Sequence, residues 1–117
     1  MSHFSTLRTK ITDAEILCTS LSDLGISVKT EADIRGYNGQ RVRADIVAVL
    51  EGEYDIGWSL NSDGSYDLIA DLWGVAKKHN QTELINSINQ KYAVNKTLSE
   101  VQRPALQTAT VQLIVQK

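Results

Sequence analysis

Apolar and polar residues alternate most regularly between positions 54 and 72. An alternation with a period of two is typical of strands that are buried on one face. The two apolar sets point to the same side only if Leu60 lies opposite Tyr66. The pattern therefore predicts a β-hairpin closed by a five-residue loop, residues 61–65, in which Gly64 takes a positive φ. The apolar positions are Tyr54, Ile56, Trp58 and Leu60 in the first strand and Tyr66, Leu68, Ala70 and Leu72 in the second.

The two faces of this hairpin differ in chemistry. Trp58 lies at the centre of the apolar face, and we expect it to be buried between the sheet and the helices. The opposite face carries Asp55 across from Asp71, with Asp67 beside Ser59. We predict that this second face is the outer, carboxylate-bearing side of the sheet.

The N-terminal part of the chain has the signals of strands around one helix. A strand is predicted at residues 3–11 and stops at Thr12, which forms a Thr-x-x-Glu capping box with Glu15. The helix that begins there ends near Gly25, at a position that favours glycine. The segments predicted after it are a strand at 26–31, a loop at 32–41 and a strand at 42–50.

After the hairpin the pattern changes to that of helices. Asn80 and Glu83 form a second capping pair, and the apolar stripe that follows them shifts its phase by about half a turn. We therefore predict a bend or a break in the helix near residues 93–95. Pro104 ends the helical region, and the alternation at 111–115 predicts a last strand.

The order of these elements, β-α-β-β-β-β-α-α-β, indicates an α+β fold. We expect a two-layer sandwich in which a mostly antiparallel sheet has its helices on one face, covering the aromatic side of the hairpin. An enlarged ferredoxin-like plait is a candidate topology. The length of 117 residues predicts a single globular domain, residues 1–117.

Composition narrows the class of protein. The net charge of -2 and the scattered basic residues give no general attraction for phosphates, so we expect no nucleic-acid partner. Cys18 is the single cysteine, which excludes an internal disulfide and a cysteine-based metal cage. The N-terminus has no apolar signal region, and no stretch is apolar enough for a membrane span. A cytoplasmic location is the expectation.

Several short motifs agree, in order and spacing, with those of a known family. They are Met-Ser-His-Phe-Ser at the N-terminus, Arg-Gly-Tyr-Asn-Gly-Gln at 35–40, Ala-Asp-Ile-Val at 44–47, Tyr-Asp-Ile-Gly at 54–57, Tyr-Asp-Leu at 66–68, Ala-Asp at 70–71, Trp-Gly at 73–74 and Gln-Lys-Tyr at 90–92. The chain resembles the family encoded by hypothetical chloroplast reading frame thirty-five, a domain of unknown function found in cyanobacteria, algal plastids and some cyanophages. The resemblance weakens past Val101. It implies a cyanobacterial, plastid or phage origin and a cytoplasmic or stromal location, and it implies no catalytic residues.

The loop at 35–40 is the best candidate for recognition. Its two glycines allow backbone amides to approach a ligand, Arg35 offers a planar fork for an anion, and Tyr37 offers a stacking face. The alternative is a turn that needs a positive φ at both glycines. The candidate binding residues are Arg35, Gly36, Tyr37, Gly39 and Gln40 in the loop, together with Trp73, which lies next to Gly74 on the outer face.

The carboxylates of the outer face form a second candidate, an acidic patch. Asp55 and Asp71 are expected close together across the hairpin, with Asp67 on the same face. Two carboxylates are fewer ligands than a hard divalent cation normally uses, so we predict no metal site and no cofactor. The other interpretation of this face is solvated surface, or carboxylates neutralised by Arg41 or Arg43.

The sequence contains no recognisable catalytic group. His3 and His79 have no neighbours at nucleophile or metal-ligand spacing, and Cys18 lies on the apolar stripe of the first helix. Two functions remain from different classes. The first is a non-catalytic protein-interaction module with a protein partner, with or without homo-oligomer formation. The second is a domain that binds a small ligand or weakly binds metal, with minor enzyme activity, through the acidic face and nearby arginines.

Overall fold

The computed structural model describes residues 4–76 and 79–101. Pro104 and the predicted strand at 111–115 lie outside the described residues. Within the described part, five strands and three helices follow one another in the order β-α-β-β-β-β-α-α, with one 3₁₀ turn between the second and third strands. The elements are β1 (Ser5–Arg8), α1 (Ala14–Asp23), β2 (Ser27–Arg35), the 3₁₀ turn (Tyr37–Gly39), β3 (Arg41–Val49), β4 (Ile56–Leu60), β5 (Tyr66–Ala70), α2 (Leu72–Val75) and α3 (Gln81–Val101).

The five strands form one antiparallel sheet with the order β1-β5-β4-β3-β2. Strands β2 to β5 are a meander, and β1 is added beside β5. The α1 crossover therefore joins strands at opposite edges of the sheet. This confirms the α+β sandwich. It is not the ferredoxin-like plait, because that topology separates two crossover-linked strands by one strand, and here three strands lie between β1 and β2.

The hairpin has the register that the alternation predicts. Leu60 lies opposite Tyr66, and Trp58 lies opposite Leu68. The loop closes through a hydrogen bond from Asn61 N to Ser65 O at 2.7 Å, and Gly64 has a φ of 92°. Trp58 is fully buried in the cluster beneath α1 and α3, which confirms its prediction as a core residue.

Helix α1 begins one residue later than the capping box predicts. Asp13 is the N-cap, and its carboxylate accepts a hydrogen bond from Ile16 N at 3.0 Å. Thr12 lies one residue before this cap, and its backbone N–H, like that of Asp13, donates to the hydroxyl of Tyr92 on α3. The predicted end is confirmed, with Gly25 at a φ of 77°.

Strand β2 continues through residues that the pattern assigned to a loop. It runs to Arg35, although Glu31 interrupts it with a φ of 48°. Val28 packs on the helix-side cluster, whereas Ile34, six residues further, lies in a second apolar cluster on the opposite face. A regular strand would point both side chains to the same side. The irregularity at Glu31 reverses the faces, and this reversal hides the second half of the strand from a period-two analysis.

The ends of the other elements also differ from the prediction. β1 covers only Ser5–Arg8, and Leu72 begins the short helix α2 instead of ending β5. Helix α3 begins after the predicted cap, since Glu83 N donates to Asn80 Oδ1 at 3.1 Å. It runs without the predicted break near 93–95. The shift in phase marks two faces of one helix: Leu84, Ile85, Ile88 and Tyr92 pack on the core, and Val94, Leu98 and Val101 are exposed.

Candidate functional site

The open end of the hairpin, opposite its loop, holds two buried carboxylates. Asp55 is 2% exposed and Asp71 is 1% exposed. The prediction that they form an accessible acidic patch on the outer face was wrong. Residues 35–37, at the end of the part of β2 that was predicted as a loop, fold over this end of the hairpin. The backbone N–H groups of Arg35 and Tyr37 donate to Asp55 and Asp71. Asp67 is half-buried and accepts a hydrogen bond from Asn61 Nδ2 at 2.9 Å.

Each carboxylate oxygen of Asp55 accepts two hydrogen bonds. Its carboxylate receives Arg35 Nε and Nη2 side by side, each at 2.8 Å, which is the bidentate geometry that suits a guanidinium. The backbone N–H groups of Arg35 at 3.0 Å and Leu50 at 3.2 Å also donate to it. This carboxylate joins three chain segments inside the fold, so it has no vacant position for a ligand.

Arg35 has a structural partner in place of the predicted anion. Its Nη2 also donates to Leu50 O at 3.0 Å, and its side chain is 31% exposed. The hydrogen bond to Asp55 raises the pKa of the Arg35 guanidinium, so the group stays charged. Of the two arginines that were expected to neutralise the acidic face, Arg43 lies 3.8 Å from Asp33, and Arg41 makes no ion pair with a described residue. Arg35 neutralises Asp55 instead.

Asp71 ties the recognition loop to helix α2. One oxygen accepts the N–H of Gly74 at 3.1 Å as the N-cap of the helix, and the other accepts the N–H of Tyr37 at 3.2 Å. The side chains of Tyr37 and Trp73 are 39% and 57% exposed. We call Tyr37 and Trp73 the aromatic corner. The sequence suggested them as separate candidates, and in the structure the backbone N–H groups of Tyr37 and of Gly74, the residue after Trp73, donate to the same carboxylate.

The loop itself is a closed turn. Gly36 N donates to Gln40 O at 2.8 Å, and Gln40 N donates to Tyr37 O at 3.0 Å. Positive φ occurs at Asn38 and at Gly39. The expectation of a positive φ was therefore correct for Gly39 and wrong for Gly36. Gly36 is buried, and a side chain there would overlap the ring of Phe4, so this glycine serves a close approach of two segments.

Glycine has the same role in helix α2. A side chain at Gly74 would overlap the ring of Tyr54, which covers this turn from the start of the hairpin. Trp73, one residue earlier, points out of the packed region. The backbone of the aromatic corner is thus fixed from below by Asp71 and Tyr54, and its two large side chains remain accessible.

The remaining titratable candidates are not assembled into a centre. Cys18 packs partly buried against the core, and burial raises the pKa of its thiol. His79 lies 3.2 Å from the carbonyl of Glu51 through Nε2, and His3 is outside the described residues. Across residues 4–76 and 79–101, no three His, Cys, Asp or Glu side chains come close enough together to hold a metal ion.

One concave surface was missed by the sequence reasoning. A groove with a volume of about 800 Å³ lies between β1 and α3, and we call it the β1–α3 groove. Its lining combines apolar residues, such as Leu7, Ile11 and Tyr92, with the basic residues Arg8, Lys10 and Lys96. The alternation over 3–11 indicated a strand but gave no sign of which helix lies beside it.

The described residues form an α+β sandwich, and Tyr37 and Trp73 are exposed at its aromatic corner. The chain belongs to the family described as "Protein of unknown function (DUF1257)", whose model matches residues 20–114. This confirms the resemblance stated above and extends it past Val101. No helix within the described ranges has both the length and the apolar character to cross a membrane.

Two relatives carry the printed name "Uncharacterized protein ycf35". The protein of Guillardia theta is 36% identical over 99 residues, which cover 84% of this chain and 77% of that protein. The protein of Pyropia yezoensis is 26% identical over 126 residues, which cover 100% of this chain and 98% of that protein. No solved structure matches the chain.

Proposed function

We propose that this chain is a non-catalytic protein-interaction module and that the aromatic corner is its contact surface. The observation that carries the proposal is the exposure of Tyr37 and Trp73 on segments held by one buried carboxylate. Tyrosine and tryptophan supply large contact areas at low entropic cost and are enriched at the centres of interfaces. The module acts as one domain in the cytoplasm or the plastid stroma of its host.

The rigidity of the corner supports this role. Asp71 fixes the backbone of Tyr37 and of Gly74, and the Tyr54 ring packs on Gly74. A contact surface that is ordered before binding loses little conformational freedom when the partner arrives. Gly39 and Gln40 lie beside Tyr37 on the exposed side of the turn and form the polar rim of the contact.

The partner that this surface fits is a folded protein with an apolar pocket. The net charge of -2 gives the chain no general attraction for the phosphates of a nucleic acid. Either a second copy of this chain or a different protein could supply such a pocket. The experiment below distinguishes these two partners.

The alternative, a ligand site built from the acidic face and its arginines, receives no support from this geometry. Asp55 and Arg35 saturate each other, and the two oxygens of Asp71 accept backbone N–H groups. A small anion or a cation would have to displace these bonds before it could bind. The interaction module needs no such rearrangement, because its side chains are already exposed.

The test is an affinity capture from a cyanobacterial lysate with four forms of the protein as bait. The variant Tyr37→Ser/Trp73→Ser removes the corner, and we expect it to lose at least nine-tenths of any partner that the parent retains, roughly a tenfold or greater loss of affinity. Leu60→Ser is the matched control, because Leu60 is 55% exposed at the other end of the hairpin. Leu98→Ser removes the exposed apolar face of α3.

The outcomes separate the surfaces. Loss of the partner with the double variant and retention with Leu60→Ser supports the corner. Retention by the double variant, or loss with Leu98→Ser alone, assigns binding elsewhere and overturns the proposal. Sedimentation of the purified parent and double variant at the same concentration then decides whether the partner is a second copy of this chain.

A further inference from the structure

The β1–α3 groove is a separate surface with the character of a ligand site. Its volume of about 800 Å³ lies within the range of roughly 300 to 1,000 Å³ that is usual for small-molecule sites. The residues Ile11, Leu68 and Tyr92 are almost completely buried and form its floor, and Leu7 is 42% exposed at its mouth. The floor therefore offers an apolar surface that a ligand can reach.

The groove is also elongated. Along α3 its lining extends from Ile85 to Thr97, a length of about 18 Å at the rise of an α-helix. Its opposite wall is β1 and the residues that lead to Ile11. This shape suits an extended hydrocarbon chain better than a compact ring system.

Basic residues lie at the rim. Arg8, Lys10 and Lys96 line the groove, and among the described lining residues there is no Asp or Glu. Arg8 pairs with Asp63 at 3.0 Å, and Lys96 lies 3.9 Å and 4.0 Å from Asp13 and Glu100, so acidic residues outside the lining offset these two charges. Lys10 is exposed and has no ion pair with a described residue, so it is the rim group that can pair with an anionic head.

We propose that the β1–α3 groove binds a single-chain amphiphile with an anionic head group. The hydrocarbon chain lies on the floor between β1 and α3, where it covers apolar surface that water now contacts. The head group is held by Lys10. This site is independent of the aromatic corner, which lies on α2 and on the loop after β2, and the two proposals can fail separately.

The test uses dodecanoate as the probe, below the concentration at which it forms micelles. Calorimetric titration of the full chain gives the affinity, and backbone amide shifts give the location. We expect saturable binding with one equivalent and shifts confined to residues 7–11 and 85–97. A flat titration, or shifts that cluster at Tyr37 and Trp73, overturns the proposal.

A filled groove provides the steric test. Ala93 lines the groove and is exposed, so Ala93→Trp should occupy it and weaken dodecanoate binding at least tenfold. Val94→Trp is the matched control, because the next residue on the helix is 49% exposed and does not line the groove. Leu7→Asp at the mouth is a second variant that does not depend on the fold tolerating a tryptophan. Equal binding by Ala93→Trp and Val94→Trp contradicts the assignment.

A charge reversal tests the head group. Lys10→Glu should weaken dodecanoate at least tenfold, whereas Lys29→Glu changes the net charge equally at the far edge of the sheet and should leave the affinity unchanged. Dodecyltrimethylammonium has the same chain length with a cationic head, and the parent should bind it at least tenfold more weakly. Equal affinity for the two amphiphiles shows that the anionic part of the proposal is wrong.

Discussion

The two ends of the β4–β5 hairpin carry aspartates that serve opposite purposes. At the loop end, Asp63 is exposed. Its carboxylate accepts hydrogen bonds from the backbone N–H of Ser65 at 2.9 Å and from the Ser65 hydroxyl at 2.6 Å, two residues away. At the open end, Asp55 and Asp71 are buried and bond to Arg35 and Tyr37, 20 and 34 residues away in sequence. Asp63 also pairs with Arg8, 55 residues away, but both of these side chains are exposed, so the two ends of the hairpin differ in the burial of their carboxylates.

This difference shows what a carboxylate contributes in each setting. An exposed aspartate exchanges water for similar hydrogen bonds and gains little. A buried aspartate has already lost its water, so each missing donor would leave an unsatisfied charge. Removal of an aspartate at the open end should therefore lower the free energy of unfolding more than removal of Asp63. The open end also positions the aromatic corner. The variants and the titration that follow test this comparison from the largest expected effect to the smallest, and Asp63→Ala stands beside Asp55→Ala as its control.

Trp58 anchors the middle of the hairpin, and its removal affects both ends. We expect Trp58→Ala to lower the free energy of unfolding by about 3 to 5 kcal/mol, because a fully buried indole leaves a large cavity. Urea denaturation measures the loss. Trp58→Phe should cost less, because the indole Nε1 finds no acceptor within the described residues and no hydrogen bond is lost. An alanine variant that unfolds at the parent's urea concentration would refute the register.

The buried ion pair should respond next. We expect Asp55→Ala to destabilise the fold by about 3 kcal/mol, because Arg35 keeps its charge and two backbone N–H groups lose their acceptor. The urea midpoint measures the effect. If Asp55→Ala unfolds at the same urea concentration as the parent, the hydrogen bonds of Asp55 do not contribute the stability that we assign to them.

Asp63→Ala is the matched control for this variant at the loop end. Hydrogen bonds from Ser65, with a smaller contribution from Arg8, hold the pKa of the Asp63 carboxyl below its usual range. A folded-state pKa that is lowered gives stability above the unfolded pKa, and this stability is lost as the pH falls through the folded value. Because Asp63 is exposed, its removal should leave the urea midpoint at neutral pH nearly unchanged.

Asp71 should have an intermediate effect with a distinct readout. We expect Asp71→Ala to cost about 1 to 2 kcal/mol, since it removes the N-cap of α2 and the acceptor for Tyr37 N. The variant should also release the aromatic corner, which is measured as faster hydrogen exchange at the amides of Tyr37 and Gly74. Unchanged exchange at both amides would show that Asp71 does not fix the corner.

Divalent cations should have the smallest effect. Asp55 and Asp71 already accept N–H donors, so we expect no binding of Mg²⁺, Mn²⁺ or Ca²⁺ at micromolar concentration and an unchanged melting temperature. Calorimetric titration of the parent is the measurement, with Asp67→Asn as a variant that keeps the buried pair intact. Micromolar binding that disappears in Asp67→Asn would restore the acidic face as a ligand site.

Much of the fold could be predicted because its signals are local. The register of the hairpin followed from alternation and from the position of Gly64, and both helix caps lie within one residue of the predicted positions. The missed elements have signals that are weak or contradictory. Glu31 reverses the faces of β2, and α2 is a single turn whose start coincides with the end of β5.

The candidate site could be predicted only in part. Tyr37 and Trp73 were identified as exposed aromatics, and the structure agrees on their exposure. The carboxylate that holds both segments could not be foreseen, because this link depends on Asp71 accepting from a residue 34 positions away. The β1–α3 groove was missed for the same reason, since its two walls are about 80 residues apart in the chain.

The sequence by itself determined the strand pairing of the hairpin, the burial of Trp58 and the α+β class, because alternation, glycine positions and capping residues act within a few residues of one another. Tertiary structure decided which carboxylates are buried and which chain segments they join. Whether a polar face meets water depends on the segment that packs over it. At the open end that segment is Arg35 to Tyr37, and its arrival converts a predicted acidic surface into the support of the aromatic corner.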